Sequence, residues 1–235
     1  MDSNGKLAIQ WLGHSTFVIT SPGGKRIVLD PWLETNPKCP DEHKKITKAD
    51  LILVTHGHPD HVGDVVSVAR TTGAPVIAIL ELAKWFEEKG LKSVHGINKG
   101  GTINIAGIGV TMVQAQHSGG LEVEGRMIYV GEPAGYVIRL EDGRSLYFAG
   151  DTDVFSDMAL IKQIHAPEIA LLPIGDYFTM GPKGAALAAE LLGVQLVVPM
   201  HYGTFPVLVG TPAELRALLA PGIQLLELQP GETTV

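Results

Sequence analysis

An α/β fold, with a sheet core covered by helices on its outer faces, is what this chain of 235 residues predicts. Three observations carry that prediction. Short β-branched and apolar runs alternate with segments whose apolar residues recur at helical spacing. Glycine- and proline-containing turns separate them, and strands interleaved with helices pack as sheets with helical outer layers. The residues with metal-ligand chemistry fall just after the runs that read as strands, along the sheet edge where loops carry function.

The elements follow in order. Residues 6–12 and 15–20 read as strands, and Ser21-Pro22-Gly23-Gly24 turns the chain into a third at 26–29, which Asp30-Pro31-Trp32 ends. A polar, proline-containing loop runs to about residue 50. The apolar run Leu51-Ile52-Leu53-Val54 reads as a buried strand, 62–70 as a helix stopped by Gly73, 75–79 as a strand and 81–89 as a helix. β character returns at 102–105, 109–116 and 135–140, and Glu141-Asp142-Gly143-Arg144 is hairpin chemistry leading into 145–149. Helices at 154–164, 184–192 and 212–219 then alternate with strands at 169–172 and 196–199. Each half runs from hairpin strands to a strand ending in a ligand-rich loop and then a helix, a weak sign of internal duplication. The length suits one large α/β domain or two small ones; with no linker or low-complexity segment, a single domain over 1–235 is expected.

Composition narrows the function classes. Net charge is −7 and no basic block extends beyond the short His43-Lys44-Lys45-Ile46-Thr47-Lys48 stretch, so no nucleic-acid partner is expected. No apolar run approaches the roughly 20 residues of a membrane span. The opening Met1-Asp2-Ser3-Asn4-Gly5-Lys6 lacks the charged-then-apolar order of a signal peptide, so a cytoplasmic protein is expected, with a homo-oligomer left open. The single cysteine, Cys39, can form no intrachain disulfide and reads as incidental.

The chemistry concentrates in His56-Gly57-His58-Pro59-Asp60-His61, three imidazoles and a carboxylate within six residues. Imidazole nitrogen and carboxylate oxygen are the donors that borderline divalent metals prefer, and so short a loop confines them to one small volume. His117, Asp151 and His201 each follow a further strand. No serine or cysteine nucleophile is evident: Gly13-His14-Ser15 starts like a nucleophile elbow, but Phe17 stands where the second glycine belongs. No Walker A sequence is present.

Taken in order, Thr55-His56-Gly57-His58-Pro59-Asp60-His61, His117, Ala149-Gly150-Asp151-Thr152 and Pro199-Met200-His201-Tyr202 resemble the metallo-β-lactamase superfamily. Trp11-Leu12-Gly13-His14-Ser15-Thr16-Phe17 and Asp30-Pro31-Trp32 are similar to its branch of metal-dependent hydrolases related to ascorbate-phosphate lactonase. The resemblance spans residues 7 to about 205. It implies a four-layer αβ/βα sandwich, two mixed sheets with helices on the outer faces and a dinuclear site on their common edge. It also implies that His56, His58 and His117 hold one metal, that Asp60, His61 and His201 hold a second, and that Asp151 bridges them. Asp153 stands where close relatives carry glycine; it would touch the site or, preferably, cap the following helix.

Two divalent cations about 3.5–4 Å apart can share a water and lower its pKa towards neutrality, which makes a bridging hydroxide the expected nucleophile. Zn²⁺ or Mn²⁺ suits the thiolate-free donor set best, with Fe as a third choice. Asp60 and His14 are the candidate catalytic residues, His14 either as substrate contact and proton shuttle or as a structural hydrogen bond. Asp176 is a candidate to orient a ligand histidine. Glu132 would line the pocket or, more simply, sit in a solvated loop. The ligand set, with only Asp60 and Asp151 offsetting the cations, leaves a positive pocket suited to a small and anionic ester, lactone or amide. The alternatives are a phosphodiesterase or nuclease of the same fold and a non-catalytic metal-binding sensor module.

Overall fold

The computed structural model describes residues 5–234; Met1, Asp2, Ser3 and Asn4, part of the segment read above for a leader pattern, lie outside the described residues. The first sheet takes β1 (Ala8–Trp11), β2 (Phe17–Thr20), β3 (Arg26–Leu29), β4 (Leu51–Leu53), α1 (Pro59–Val62), α2 (Val65–Thr72), β5 (Val76–Ile79), α3 (Leu80–Glu88) and β6 (Val94–Ile97). Its order is β1-β2-β3-β4-β5-β6, antiparallel up to β3 and parallel thereafter. The chain then forms β7 (Thr102–Ile105), β8 (Ile108–Gln114), the hairpin β9 (Leu121–Val123) and β10 (Arg126–Ile128), β11 (Ala134–Arg139) and β12 (Ser145–Phe148). It closes with α4 (Met158–His165), β13 (Ile169–Pro173), α5 (Pro182–Leu192), β14 (Leu196–Met200), α6 (Pro212–Leu218) and β15 (Gln224–Leu225). The second sheet is ordered β15-β14-β13-β12-β11-β8-β7, antiparallel from β7 to β12 and parallel from there to β15.

The two sheets pack face to face, as the expected sandwich requires. Phe17 of β2 meets Phe148 of β12 edge-on at 6.3 Å, and both side chains are fully buried. The fully buried Tyr136 of β11 donates its hydroxyl across the interface to the Val54 carbonyl at 2.7 Å, so its polar end loses no partner on burial. β4 and β5 are buried at every residue, which is why they read as unbroken apolar runs rather than alternating ones. α3 covers β5 and β6 on one side, and α5 packs on β13 between α4 and α6 on the other. Both sheets repeat one scheme, antiparallel strands followed by parallel additions.

Strand direction explains where the ligand-type residues emerge. β1, β3 and β4 run the same way, so the segments that follow them, with His14, Asp30 and His56, leave one edge. β8, β12 and β14 share a direction as well, and the segments after them carry His117, Asp151 and His201.

Several boundaries differ from expectation. The helix expected over 62–70 is two helices, and the first, begun by Pro59 at a position where its missing N–H costs nothing, lies inside the histidine motif itself. The helix expected at 154 starts at Met158. Asp153 N–H donates to the Gln116 carbonyl at 3.0 Å and Gln116 N–H to Thr152 Oγ1 at 2.9 Å, and these bonds tie the stretch beside β8. β6, with its His-Gly centre, and the exposed β9–β10 hairpin lack the apolar pattern by which a strand is recognised.

Candidate metal centre

His56 and His58 follow β4, His58 in extended backbone, and α1 then places Asp60 and His61 on successive positions of one helical turn. Side chains about 100° apart on a turn diverge, so Asp60 reaches His14 while His61 reaches Asp30, just after β3. The structure brings all seven expected ligands together in two adjoining groups.

In the first group, His56 Nε2 lies 3.0 Å from His58 Nδ1, which lies 3.3 Å from His117 Nε2. Two nitrogens bound at about 2.0–2.1 Å to one tetrahedral ion sit roughly 3.3 Å apart, so the spacing fits a shared cation. In the second group, Asp151 Oδ2 lies 3.0 Å from His201 Nε2 and 3.4 Å from His61 Nε2, and Asp60 Oδ2 lies 4.0 Å from each of those nitrogens. Asp151 Oδ2 is also 3.7 Å from His117 Nε2, so one carboxylate faces both groups.

His61 Nε2, His201 Nε2 and Asp151 Oδ1 are buried yet make no hydrogen bond. A buried polar atom left unpaired costs about 1–3 kcal/mol. Unpaired imidazole and carboxylate donors gathered in one cluster fit a divalent cation of borderline character.

Behind these donors stands Asp30, to which the sequence reading gave no role. It is fully buried. Oδ2 accepts from His61 Nδ1 at 2.7 Å and from Thr55 Oγ1 at 2.6 Å, and Oδ1 accepts from Thr55 N at 2.8 Å. Thr55 Oγ1 also lies 2.9 Å from His56 Nδ1. Asp30 thereby fixes the ring of His61 directly and buttresses His56 through Thr55, the outer support that metal-binding histidines commonly have. Asp30 after β3 is the counterpart of Asp151 after β12, each following the last antiparallel strand of its sheet, an equivalence visible only in the folded chain. Gly150, just before Asp151, has φ +60°, and a Cβ there would stand 2.7 Å from Thr55 Cβ. Only glycine lets the two halves approach so closely.

His14 is fully buried. Its Nε2–H donates to Asp60 Oδ2 at 2.9 Å and Nδ1 accepts from Thr204 Oγ1 at 2.9 Å. Burial, and then His201, lower its pKa to about 4, so the ring is neutral at pH 7. Both nitrogens are committed and the ring does not line the cleft, which corrects the substrate-contact and proton-shuttle role: His14 positions Asp60. His14, Asp30 and His201 all hold left-handed backbone, with φ of 55°, 41° and 55°. Strain of this kind costs on the order of 1–3 kcal/mol per residue and gathers at functional sites.

Two further expectations are corrected, the ligand-orienting role of Asp176 and the site contact or helix cap of Asp153. Asp176 Oδ1 accepts from the Tyr177 amide at 2.8 Å in an exposed turn and bonds no ligand histidine. Asp153 is exposed, its Oδ1 accepts from Val154 N at 2.7 Å, and Asp157 rather than Asp153 stands at the start of α4. Glu132 pairs with Lys99 at 3.0 Å in solvent, outside the cleft. Cys39 is buried, and burial raises its thiol to about 11, so it is inert.

Burial alone would lower the pKa of His61, but Asp151, Asp30 and Asp60 outweigh it and hold the ring well above the ordinary value. Burial raises Asp60 and Asp151, yet neighbouring histidines dominate and keep both well below the usual carboxylate range. At neutral pH the metal-free centre therefore holds a proton on His61 between ionised carboxylates. A cation at Nε2 must displace that proton. Loading at pH 7 should release about one proton from this ring, and affinity should rise with pH, by up to about tenfold per unit, until His61 deprotonates unaided. Calorimetric metal titration in buffers of differing ionisation enthalpy checks this; zero proton release would refute it.

Above the ligands opens a cleft of about 680 Å³, reached by His58, Asp60, His117, Asp151 and His201 and walled by Trp32, Phe178 and Phe205. Among the described residues no helix is long and apolar enough to cross a membrane.

Comparison with known proteins agrees with this geometry. Residues 25–202 match the family model described as the beta-lactamase superfamily domain. The chain is 47% identical over 233 residues to a UPF0173 metal-dependent hydrolase of Koribacter versatilis, covering 99% of each chain. It is 45% identical to another of that name from Archaeoglobus fulgidus, covering 97% of this chain and 98% of the relative. Igni18, a metallo hydrolase from Ignicoccus hospitalis, has a similar solved structure, with a TM-score of 0.84, 34% identity and 97% of each chain covered. With the fold, the converging donors and these relatives together, the chain belongs to the beta-lactamase superfamily domain family and, within it, to the UPF0173 metal-dependent hydrolases.

Proposed function

We propose that the protein hydrolyses a small ester, lactone or amide at a centre for two divalent cations. His56, His58 and His117 would hold one, Asp60, His61 and His201 the other, and Asp151 would face both. The observation that carries the reading is the convergence of these donors, several of them buried and unpaired, at the floor of a cleft large enough for a small molecule. Bound divalent ions would supply Lewis acidity and an activated water. The chain's residues do the rest. Asp60 lines the cleft and stays ionised, its Oδ2 held by His14, so that it would orient the attacking water by accepting its hydrogen bond. His61, backed by Asp30, and His201, whose backbone amide donates to the His14 carbonyl at 3.1 Å, keep the donors in register across the two halves.

Chelation tests the reading. Protein stripped with EDTA should lose turnover on a panel of esters, lactones and amides, and Zn²⁺ or Mn²⁺ should restore it at about two ions per chain. Turnover that survives thorough metal removal, with metal content confirmed by elemental analysis, would refute it.

A further inference from the structure

The walls of the cleft carry information that the ligands do not. Trp32 and Phe205 form one side, their ring centroids 6.1 Å apart and the planes tilted by 33°. The Trp32 indole N–H is already given to Thr35 Oγ1 at 2.6 Å, so the ring offers its apolar surface. Phe178 forms part of the lining although the residue is 52% exposed. It sits in a turn whose preceding residues, Asp176 and Tyr177, both hold left-handed backbone, with φ of 64° and 57°. The turn is fixed by Phe178 N–H donating to the Asp176 carbonyl at 2.6 Å, and Tyr177 meets the Phe178 ring edge-on at 4.7 Å. Backbone strain and the exposure of an aromatic ring both cost free energy, and both serve to hold Phe178 at the mouth.

The charge of the lining points the same way. Among the described residues that line the cleft there is no lysine or arginine. Asp60 and Asp151 contribute negative charge at its floor, and Asp30 adds a third carboxylate behind His61. These carboxylates offset part of the charge of two divalent ions, and a substrate anion placed away from the ligands would meet the rings of Trp32, Phe178 and Phe205 and the hydroxyls of Thr35 and Ser118, but no cationic side chain. An ionised group moved into such surroundings without a partner loses hydration that nothing replaces.

We propose that the cleft selects an uncharged substrate carrying an aromatic or alkyl group, gripped between Phe178 and the Trp32–Phe205 wall, with Phe178 the residue that sets specificity. This deepens the hydrolase reading and rests on it, and it reverses the anionic substrate expected from the ligand set alone.

A matched pair of substrates isolates the wall from the centre. 4-Nitrophenyl hexanoate and the 4-nitrophenyl monoester of adipic acid present the same reacting carbonyl and leaving group, and differ by a terminal methyl or carboxylate. The metal-loaded protein should favour the hexanoate in kcat/KM by at least about tenfold. Phe178→Ala should lower kcat/KM for the hexanoate by about tenfold, mainly through KM, with metal content unchanged, while Phe178→Leu restores most of it. Equal or better use of the adipate monoester, or a Phe178→Ala loss of the same size on both esters, would overturn the proposal. A second measurement separates it from the hydrolase reading. N-phenylhexanamide binding to the metal-free protein, followed by saturation transfer to the ligand, should weaken in Phe178→Ala. Binding through Phe178 without turnover of any ester would sink the hydrolase reading and support the apolar cleft; turnover with preference for the anion would do the reverse.

Discussion

Asp151→Asn should fold like the parent and lose metal-dependent hydrolysis by more than about 100-fold, because replacing even an outer partner of a metal ligand costs about 10–100-fold. Asp151 is the one carboxylate that faces both donor groups, at 3.0 Å from His201, 3.4 Å from His61 and 3.7 Å from His117. Asparagine keeps the shape but removes the charge, and its amide nitrogen can turn N–H groups towards the place meant for a cation. The loss should therefore appear in metal content as well as rate: elemental analysis should find fewer ions per chain than in the parent, and excess Zn²⁺ or Mn²⁺ should recover only part of the activity. Asp151 is buried beside two histidines that hold it ionised, so the substitution also changes the metal-free protein. With that countercharge gone, His61 should hold its proton less tightly, and proton release on loading should shrink. Circular dichroism indistinguishable from the parent together with full activity would show that Asp151 does not serve the centre.

The ease with which the sequence disclosed the fold and most of the site has a physical source. β4 and β5 are buried on both faces, and such strands must be continuous apolar runs. A divalent cation fixes donor types so tightly that His56, His58, Asp60 and His61 stand out in one short stretch. Residues that act through other residues carry no such mark. Asp30 reads as a strand end before proline; only the three-dimensional layout shows that its two oxygens accept from Thr55 and His61. The role of His14 was open for the same reason, since nothing in Gly13-His14-Ser15 reveals that Thr204, distant in sequence, occupies its second nitrogen. Asp176 and Asp153 misled because an aspartate after a strand more often satisfies its own turn than a neighbour's ring, and both do. The proposed preference for an uncharged substrate was beyond the ligand motif altogether: it rests on Trp32, Phe178 and Phe205, which line one cleft only in the folded chain.

Asp30→Asn should weaken metal binding by about 10–100-fold without touching the cleft. Asp30 Oδ1 takes the Thr55 amide, and Oδ2 takes both the Thr55 hydroxyl and His61 Nδ1–H. An asparagine can keep the first bond through its carbonyl. Its NH₂ would then face two donors, His61 Nδ1–H and the Thr55 hydroxyl. The stack is relieved if His61 moves its proton to Nε2, the nitrogen that faces Asp151 and Asp60, where it blocks a cation. The metal-free protein suffers as well: Asp30 is one of three carboxylates sustaining the proton on His61, and breaking a buried pair of this kind costs about 3–5 kcal/mol. Denaturant unfolding of the stripped protein should show that loss. Metal titration should show the weaker site, and kinetics at saturating metal should show KM unchanged, because Asp30 is fully buried and meets no substrate. A variant with the parent's stability and metal affinity would refute the positioning role. One with intact metal binding but raised KM would place Asp30 in contact with the cleft, which its burial behind β3 forbids.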